Sequence, residues 1–214
     1  MTNIVLVGFK RSPFTIANKG LLAGVRPEDI LSQVINDLIK TTNINKDDIE
    51  DIIAGCAYPE GAQGYNIAKI VSFMTGMPEH VGGMTINRWC GSSMQAIHSA
   101  AGAISMNAGK VFICCGIESM TSVPINGLNY SPHPELLKDQ PNVYLSMGLT
   151  AENVANKFNI SRKEQQEFAI QSHSKAFKAQ SSNAFDEEIT VIRNQETEVL
   201  TDCLLYTSPS PRDR

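Results

Sequence analysis

Apolar residues recur along the chain at two alternating periods, and the alternation predicts how the fold is layered. Residues 4–9 form a short, nearly continuous apolar run, the length of a buried strand. Arg26-Pro27-Glu28-Asp29 then opens a helix, with proline in the first turn and acids at the positive end. Ile30, Leu31, Val34, Ile35, Leu38 and Ile39 form its stripe, and Thr41-Thr42-Asn43 ends it. Residues 49–57 read as a second strand. Residues 64–75 read as a helix with Ile67, Ile70, Val71 and Met74 on one face. A third strand is predicted over 80–86. It is followed by a helix over 91–107, built from Ser, Ala and Gly around Met94, Ile97, Ala101 and Ile104. A helix so poor in bulk and charge is expected to be buried, with Gly109 as its stop. The run 111–116 is continuous and apolar, as in a strand covered on both faces.

Strand and helix alternating in this way predict an α/β layered sheet. After Met120 the period is lost. Residues 121–147 carry Pro124, Pro132, Pro134 and Pro141, a long excursion of the kind that tends to carry function. Helices return at Thr150-Ala151-Glu152, and Ser161-Arg162-Lys163-Glu164 is a capping box opening another. A further strand is expected over 189–193. The reading divides the chain into a core (1–120), a loop and helical region (121–188), a returning strand region (189–202) and a tail (203–214). The tail has no helix or strand period and two close prolines, Pro209 and Pro211, and is set outside the fold as non-native.

Bulk properties narrow the partners. The 214 residues suffice for one sizeable core. A net charge of -4 with scattered Lys and Arg argues against a nucleic-acid or anionic-membrane surface. No apolar run approaches the roughly 20 residues a membrane span needs. The first residues lack a basic, leader-like segment. Five irregularly spaced cysteines do not make a disulfide framework, so a reducing, cytoplasmic setting is expected. The sequon Asn159-Ile160-Ser161 is then inert.

Cys90 is the candidate for chemistry. It ends a short apolar strand and precedes a helix, in the run Thr85-Ile86-Asn87-Arg88-Trp89-Cys90-Gly91-Ser92-Ser93-Met94-Gln95-Ala96. A helix N-terminus carries roughly half a positive charge and unpaired N–H groups, which favour a thiolate over the free value of about 8.5. A thiolate attacks acyl groups, although a lone core cysteine is usually a small hydrophobe. Cys114 and Cys115 are adjacent, so they point to opposite faces of a strand and cannot share a metal; both read as packing, as does Cys56. His98 lies about two helical turns beyond Cys90, too far for a Cys–His pair within one helix. His80, His133 and His173 have no local partner that would make them bases. No metal-ligand spacing, phosphate loop or dinucleotide fingerprint occurs.

The segment from Ile86 to Ala96 resembles the acyl-enzyme signature of thiolases, nearest the degradative 3-ketoacyl-CoA thiolases. Arg11-Ser12-Pro13, Gly55-Cys56-Ala57, Gly116-Ile117-Glu118-Ser119-Met120-Thr121, Ser146-Met147-Gly148-Leu149-Thr150-Ala151-Glu152 and Phe185-Asp186-Glu187-Glu188-Ile189 follow in family order, so the similarity runs over about residues 3–200. The resemblance implies an αβαβα layered fold in the complete protein, of which this chain is the N-terminal half. It implies Cys90 as the nucleophile, forming an acyl-thioester, with its backbone N–H as oxyanion donor. It implies that Met147 lines the acyl pocket. Ser146 stands where short-chain biosynthetic thiolases carry His, which favours the degradative subclass. Glu118 is expected to orient a loop rather than act as an acid. CoA and acyl-CoA are expected as substrates, with no cofactor and no metal. A homodimer or homotetramer is expected, with a multifunctional β-oxidation subunit as a further partner. Thiolases take their base from a Gly-His-Pro motif in a C-terminal half. That motif is missing from this sequence, so the chain is expected to be cut short near residue 202 and to turn over poorly alone. The rival expectations are a biosynthetic acetyl-CoA acetyltransferase and a non-catalytic acyl-CoA-binding relative.

Overall fold

The structure is a computed structural model that describes residues 4–194 and 197–203. The chain forms two compact units. One holds the described residues up to Leu128 together with those from Asp186 onward; the other runs from Asn129 to Phe185.

The first unit is built on three parallel strands, β1 (Asp51–Gly55), β2 (Gly82–Ile86) and β3 (Phe112–Gly116), in the order β2-β1-β3. In register, Ala54 lies beside Thr85 on one side and Cys115 on the other. Helices α1 (Pro27–Thr42) and α2 (Ile67–Met74) cover one face of the sheet, and α3 (Ser92–Ser105) packs on β1 and β3. Period-two alternation divides the side chains. Ile52, Ala54 and Ile113 meet Leu31, Ile35, Ile67 and Val71 in the larger core. Ile53 meets Ala96 and Ala100, with Phe112 and Cys114 beside them, in the smaller one. The central strand β1 is the most deeply buried, and β3, at an edge, buries only Ile113 fully. Both faces of 111–116 are nevertheless covered, as expected, Ile113 and Cys115 packing in the larger core and Phe112 and Cys114 against the smaller one.

Helix α1 opens with Pro27 and closes on Asn43 in the left-handed conformation, as the sequence predicts. Its stripe serves two partners. Leu31, Ile35 and Ile39 face the sheet, whereas Ile30 and Val34 pack on Leu22, Val25 and a small antiparallel ladder, β4 (Ile192–Arg193) with β5 (Glu198–Val199). Helix α2 buries Ile67 and Val71 of the predicted face together with Ala68 and Ser72, whereas Ile70 and Met74 are turned outward. Its apolar residues occur all round, so the sequence pattern does not set its rotation.

Two other expectations are corrected. Residues 4–9 form no strand, and Val5, Leu6, Val7 and Phe9 are at least 73% exposed. A strand needs a partner ladder, and the pairing of this segment begins only at Arg11, which bridges Ile189. Helix α3 is also not buried all round. It buries Ser92, Ala96 and Ala100, while Met94 and Ile97 are exposed. Asn107, not Gly109, is the residue after this helix that adopts the left-handed conformation (φ 58°).

An ion-paired seam joins the beginning and end of this unit. Arg11 donates from Nε to Glu188 and from both terminal nitrogens to Asp202, at 2.6–2.9 Å. The Phe14 N–H also donates to Asp202, and the Cys203 N–H donates to the Phe14 carbonyl. The remainder of the expected tail, 204–214, lies outside the described residues.

The second unit contains α4 (Pro134–Asp139), α5 (Met147–Phe158) and α6 (Arg162–Ser181), none of which has a buried residue. Ser161 and Glu164 form the predicted capping box. Among the described residues no helix is long and apolar enough to cross a membrane.

Candidate active site

Parallel pairing puts the carboxyl ends of β1, β2 and β3 at one edge of the sheet, the edge where open α/β sheets place their ligands. Three loops leave from there: Cys56-Ala57-Tyr58 after β1, Asn87-Arg88-Trp89-Cys90-Gly91 after β2 and Ile117-Glu118-Ser119 after β3. Glycine lets α3 sit close above them. A Cβ at Gly55 would collide with the backbone of Ser92 and Ser93, and one at Gly116 with the Ser93 hydroxyl.

Cys90 is exposed and lies immediately before Gly91, the N-cap of α3. The sequence placed this cysteine correctly, ahead of a helix start. The other thiols differ. Cys56 is buried, and desolvation, followed by the nearby Glu118 carboxylate, pushes it up to about 12. Cys115 is pushed up to about 12 by desolvation, and Cys114 is raised for the same reason. These three are held as thiols near neutrality, in keeping with packing roles. Cys114 and Cys115 face opposite sides of the sheet, as predicted. Among the described residues, no group of three or more His, Cys, Asp and Glu side chains is placed to hold a metal ion.

The loop carrying Cys90 is tied at several points. Trp89 adopts φ 50°, a left-handed conformation costly for a bulky residue. Asn87 Oδ1 accepts from the Trp89 N–H at 2.9 Å. Ser92 Oγ donates to the Trp89 carbonyl at 2.6 Å and accepts from the Arg88 N–H at 2.8 Å. The Trp89 ring stands edge-on to Tyr58, with centroids 5.3 Å apart. The Arg88 guanidinium reaches Gln95 on α3.

A second network joins the loops to one another. Asn87 Nδ2 donates to the Ala57 carbonyl at 2.8 Å, and the Ala57 N–H donates to Glu118 Oε2 at 2.7 Å. Gln63 is fully buried in a turn at Gly61–Gln63; it donates to Glu118 Oε1 and the Tyr58 carbonyl, and accepts from the Ser119 N–H. Glu118 therefore holds loops, as expected. Sequence reasoning missed Gln63, Tyr58 and the part played by Asn87. For Asn87 a signal was available, because an asparagine two residues before a strained position can form an Asx turn. For Gln63 there was none, since Glu118 and Ser119 lie far along the chain, in the loop after β3.

His98 is exposed on α3. His133 caps α4, its Nδ1 accepting from the Leu136 N–H at 3.3 Å. Ser146 and Met147 lie in the second unit. Ser146 is the N-cap of α5, with Oγ accepting from the Leu149 N–H, and Met147 is the first, largely exposed residue of that helix.

Fold and site together describe an α/β protein with an exposed thiol at the carboxyl edge of a parallel sheet. The chain belongs to the thiolase family: the model "Thiolase, N-terminal domain" matches residues 4–203. It is 39% identical over 199 residues to a 3-ketoacyl-CoA thiolase of Bacillus subtilis, covering 93% of this chain and 51% of that protein. A peroxisomal 3-ketoacyl-CoA thiolase 1 of Arabidopsis thaliana is 36% identical, with 90% of this chain and 44% of that protein covered. The crystal structure of the Bacillus anthracis acetyl-CoA acetyltransferase superposes with a TM-score of 0.77 at 30% identity, over 92% of this chain and 53% of the other. The chain thus spans about half the length of the curated relatives it matches.

Proposed function

We propose that this chain carries the acyl-accepting half of a 3-ketoacyl-CoA thiolase site, with Cys90 as the nucleophile. One observation supports the reading above the rest: Cys90 is exposed at the sheet's carboxyl edge before a 14-residue helix, while Cys56, Cys114 and Cys115 are held protonated.

In the proposed reaction the Cys90 thiolate attacks the C3 carbonyl of a 3-ketoacyl-CoA, and the backbone N–H of Cys90 receives the oxyanion. The C2–C3 bond then breaks. The acyl group stays on sulfur, and the departing acetyl-CoA enolate takes a proton. A CoA thiol, deprotonated as it attacks, displaces the acyl group and restores the cysteine. The chemistry calls for a base and an acid but no redox group, cofactor or metal. Among the described residues no side chain hydrogen-bonds the Cys90 thiol. The proposal therefore takes the base from residues beyond those described and expects slow turnover from this chain alone. Met147 and Ser146 are proposed on the acyl side of the pocket. A homodimer or homotetramer, with a multifunctional β-oxidation subunit as a further partner, completes the reading. The cysteines of the chain form no disulfide among the described residues, and a reducing, cytoplasmic setting is proposed on that ground.

The test is peptide mapping after prolonged incubation of the chain with excess acetyl-CoA. A single acetyl adduct at Cys90, lost in Cys90→Ser, is expected. No adduct at Cys90, or equal labelling of Cys90→Ser, overturns the reading. The Bacillus anthracis neighbour favours a second reading, acetyl-CoA acetyltransferase. Acyl transfer from acetyl-CoA but not from longer acyl-CoA would select it.

A further inference from the structure

We infer that Asn87 is a positioning residue for Cys90, acting through the backbone of Trp89. The inference rests on the reading of Cys90 as nucleophile. Asn87 does not hydrogen-bond the thiol; its side chain bonds the Trp89 N–H and the Ala57 carbonyl.

Trp89 is the strained residue of this loop. A bulky aromatic at φ 50° persists only where its surroundings over-determine it. Each part of the residue is held. The N–H is bound by Asn87, the carbonyl accepts from the hydroxyl and the N–H of Ser92, and the ring rests on Tyr58. Released, residue 89 would relax toward negative φ and swing the next residue, Cys90, away from the start of α3. Of these restraints, the Asn87 bond fixes the peptide plane before Trp89 and the Ser92 bonds fix the plane after it, so that φ, the rotation between them, is held only while both stay in place. The Asn87 bond is the Asx turn, in which a short side chain mimics a backbone turn two residues on.

The second bond gives Asn87 a fixed base. Its amide nitrogen is anchored to Ala57, whose own N–H is held by Glu118, which is in turn bound to the buried Gln63. A continuous path of hydrogen bonds therefore leads from the loop after β3, across the loop after β1, to the residue before the nucleophile. The strain at Trp89 is supported by groups that the sheet itself holds in place.

The test measures alkylation of the full 214-residue chain by iodoacetamide near neutral pH, with peptide mapping of each cysteine. In Asn87→Ala the rate at Cys90 is expected to fall about tenfold, as the thiol loses its alignment with the helix end. Asn87→Ser keeps an uncharged acceptor that forms the same turn more weakly, and should recover most of that loss. Cys56 and Cys115 report the fold, since both stay unmodified while it is intact. A parent-like rate in Asn87→Ala overturns the inference, and so does equal slowing in Asn87→Ala and Asn87→Ser. If Asn87→Ala exposes Cys56 and Cys115, Asn87→Gln decides. Its longer side chain keeps the amide but cannot close the turn, so a slowed Cys90 supports the inference and a parent-like rate overturns it. Failure of the parent chain to take an acetyl group from acetyl-CoA strikes the acyl-transfer reading instead, and the alkylation series still judges Asn87.

Discussion

The two faces of the β2-β1-β3 sheet are packed to different depths. On one, α1 and α2 close over Ile52, Ala54 and Ile113, and Ile35, Ile67, Ala68 and Val71 are almost wholly removed from water. On the other, among the described residues, α3 lies on Ile53 and brings Ala96 and Ala100 into the apolar contact, while Met94 on its outer side is 62% exposed. The contrast separates two tasks. The doubly covered face supplies most of the apolar burial and so most of the stability. The thinly covered face carries the helix whose start sits behind Cys90. That helix is held less by side-chain volume than by close backbone approach at Gly55 and Gly116 and by the hydrogen bonds of its first turn.

The largest effect is expected in the larger core. Ile52→Ala should cost about 3 kcal/mol in urea denaturation, the usual range for emptying a buried isoleucine site. A cost below about 1 kcal/mol would mean that this face is not the stabilising one. Next in size is Gly55→Ala, because a methyl there meets the backbone of Ser92 and Ser93. About 2 kcal/mol is expected from overpacking, together with slower alkylation of Cys90 as the start of α3 is displaced. Lost stability with an unchanged alkylation rate would detach the glycine contact from the site.

The seam at Arg11 lies outside both cores and should matter less. Burial pushes the Asp202 carboxyl up, but hydrogen bonds from Arg11 and the Phe14 N–H, with the Arg11 charge, leave it below its ordinary value. A carboxyl depressed in the folded state stabilises fully above the unfolded carboxylate range and loses that support as the pH falls through its folded value. Asp202→Asn should therefore cost about 1 kcal/mol at pH 7 for a partly solvated pair, and the difference from the parent should vanish in acid. A gap that persists at low pH would assign the effect to packing. Smallest is Met94→Ala on the exposed side of α3, expected within about 0.5 kcal/mol. A larger loss would show that this face is covered in solution.

Much of this arrangement could be read from local pattern. Pro27, the stripe from Ile30 to Ile39 and Asn43 specify α1 because start, face and stop all lie within one segment. Ser161 and Glu164 do the same for the N-terminus of α6. Cys90 was legible because a cysteine between a strand and a run of small residues is a local signal, although β2 ends at Ile86 and not at the cysteine itself. The errors occurred where a partner decides. Residues 4–9 have the composition of a strand but no ladder to join among the described residues. The rotation of α2 and the exposure of Met94 and Ile97 depend on which neighbours are present, and composition does not record that.

The sequence by itself determined the alternation of helix and strand from α1 to β3, the caps of α1 and α6 and the place of Cys90 ahead of a helix, because each follows from residues within a turn or two of one another. The tertiary structure alone decided that β1 is central, that Gln63 is buried against Glu118, and that Asn87 links Ala57 to Trp89. Those contacts join residues from separate loops, and they exist only once parallel pairing has brought three strand ends to one edge of the sheet.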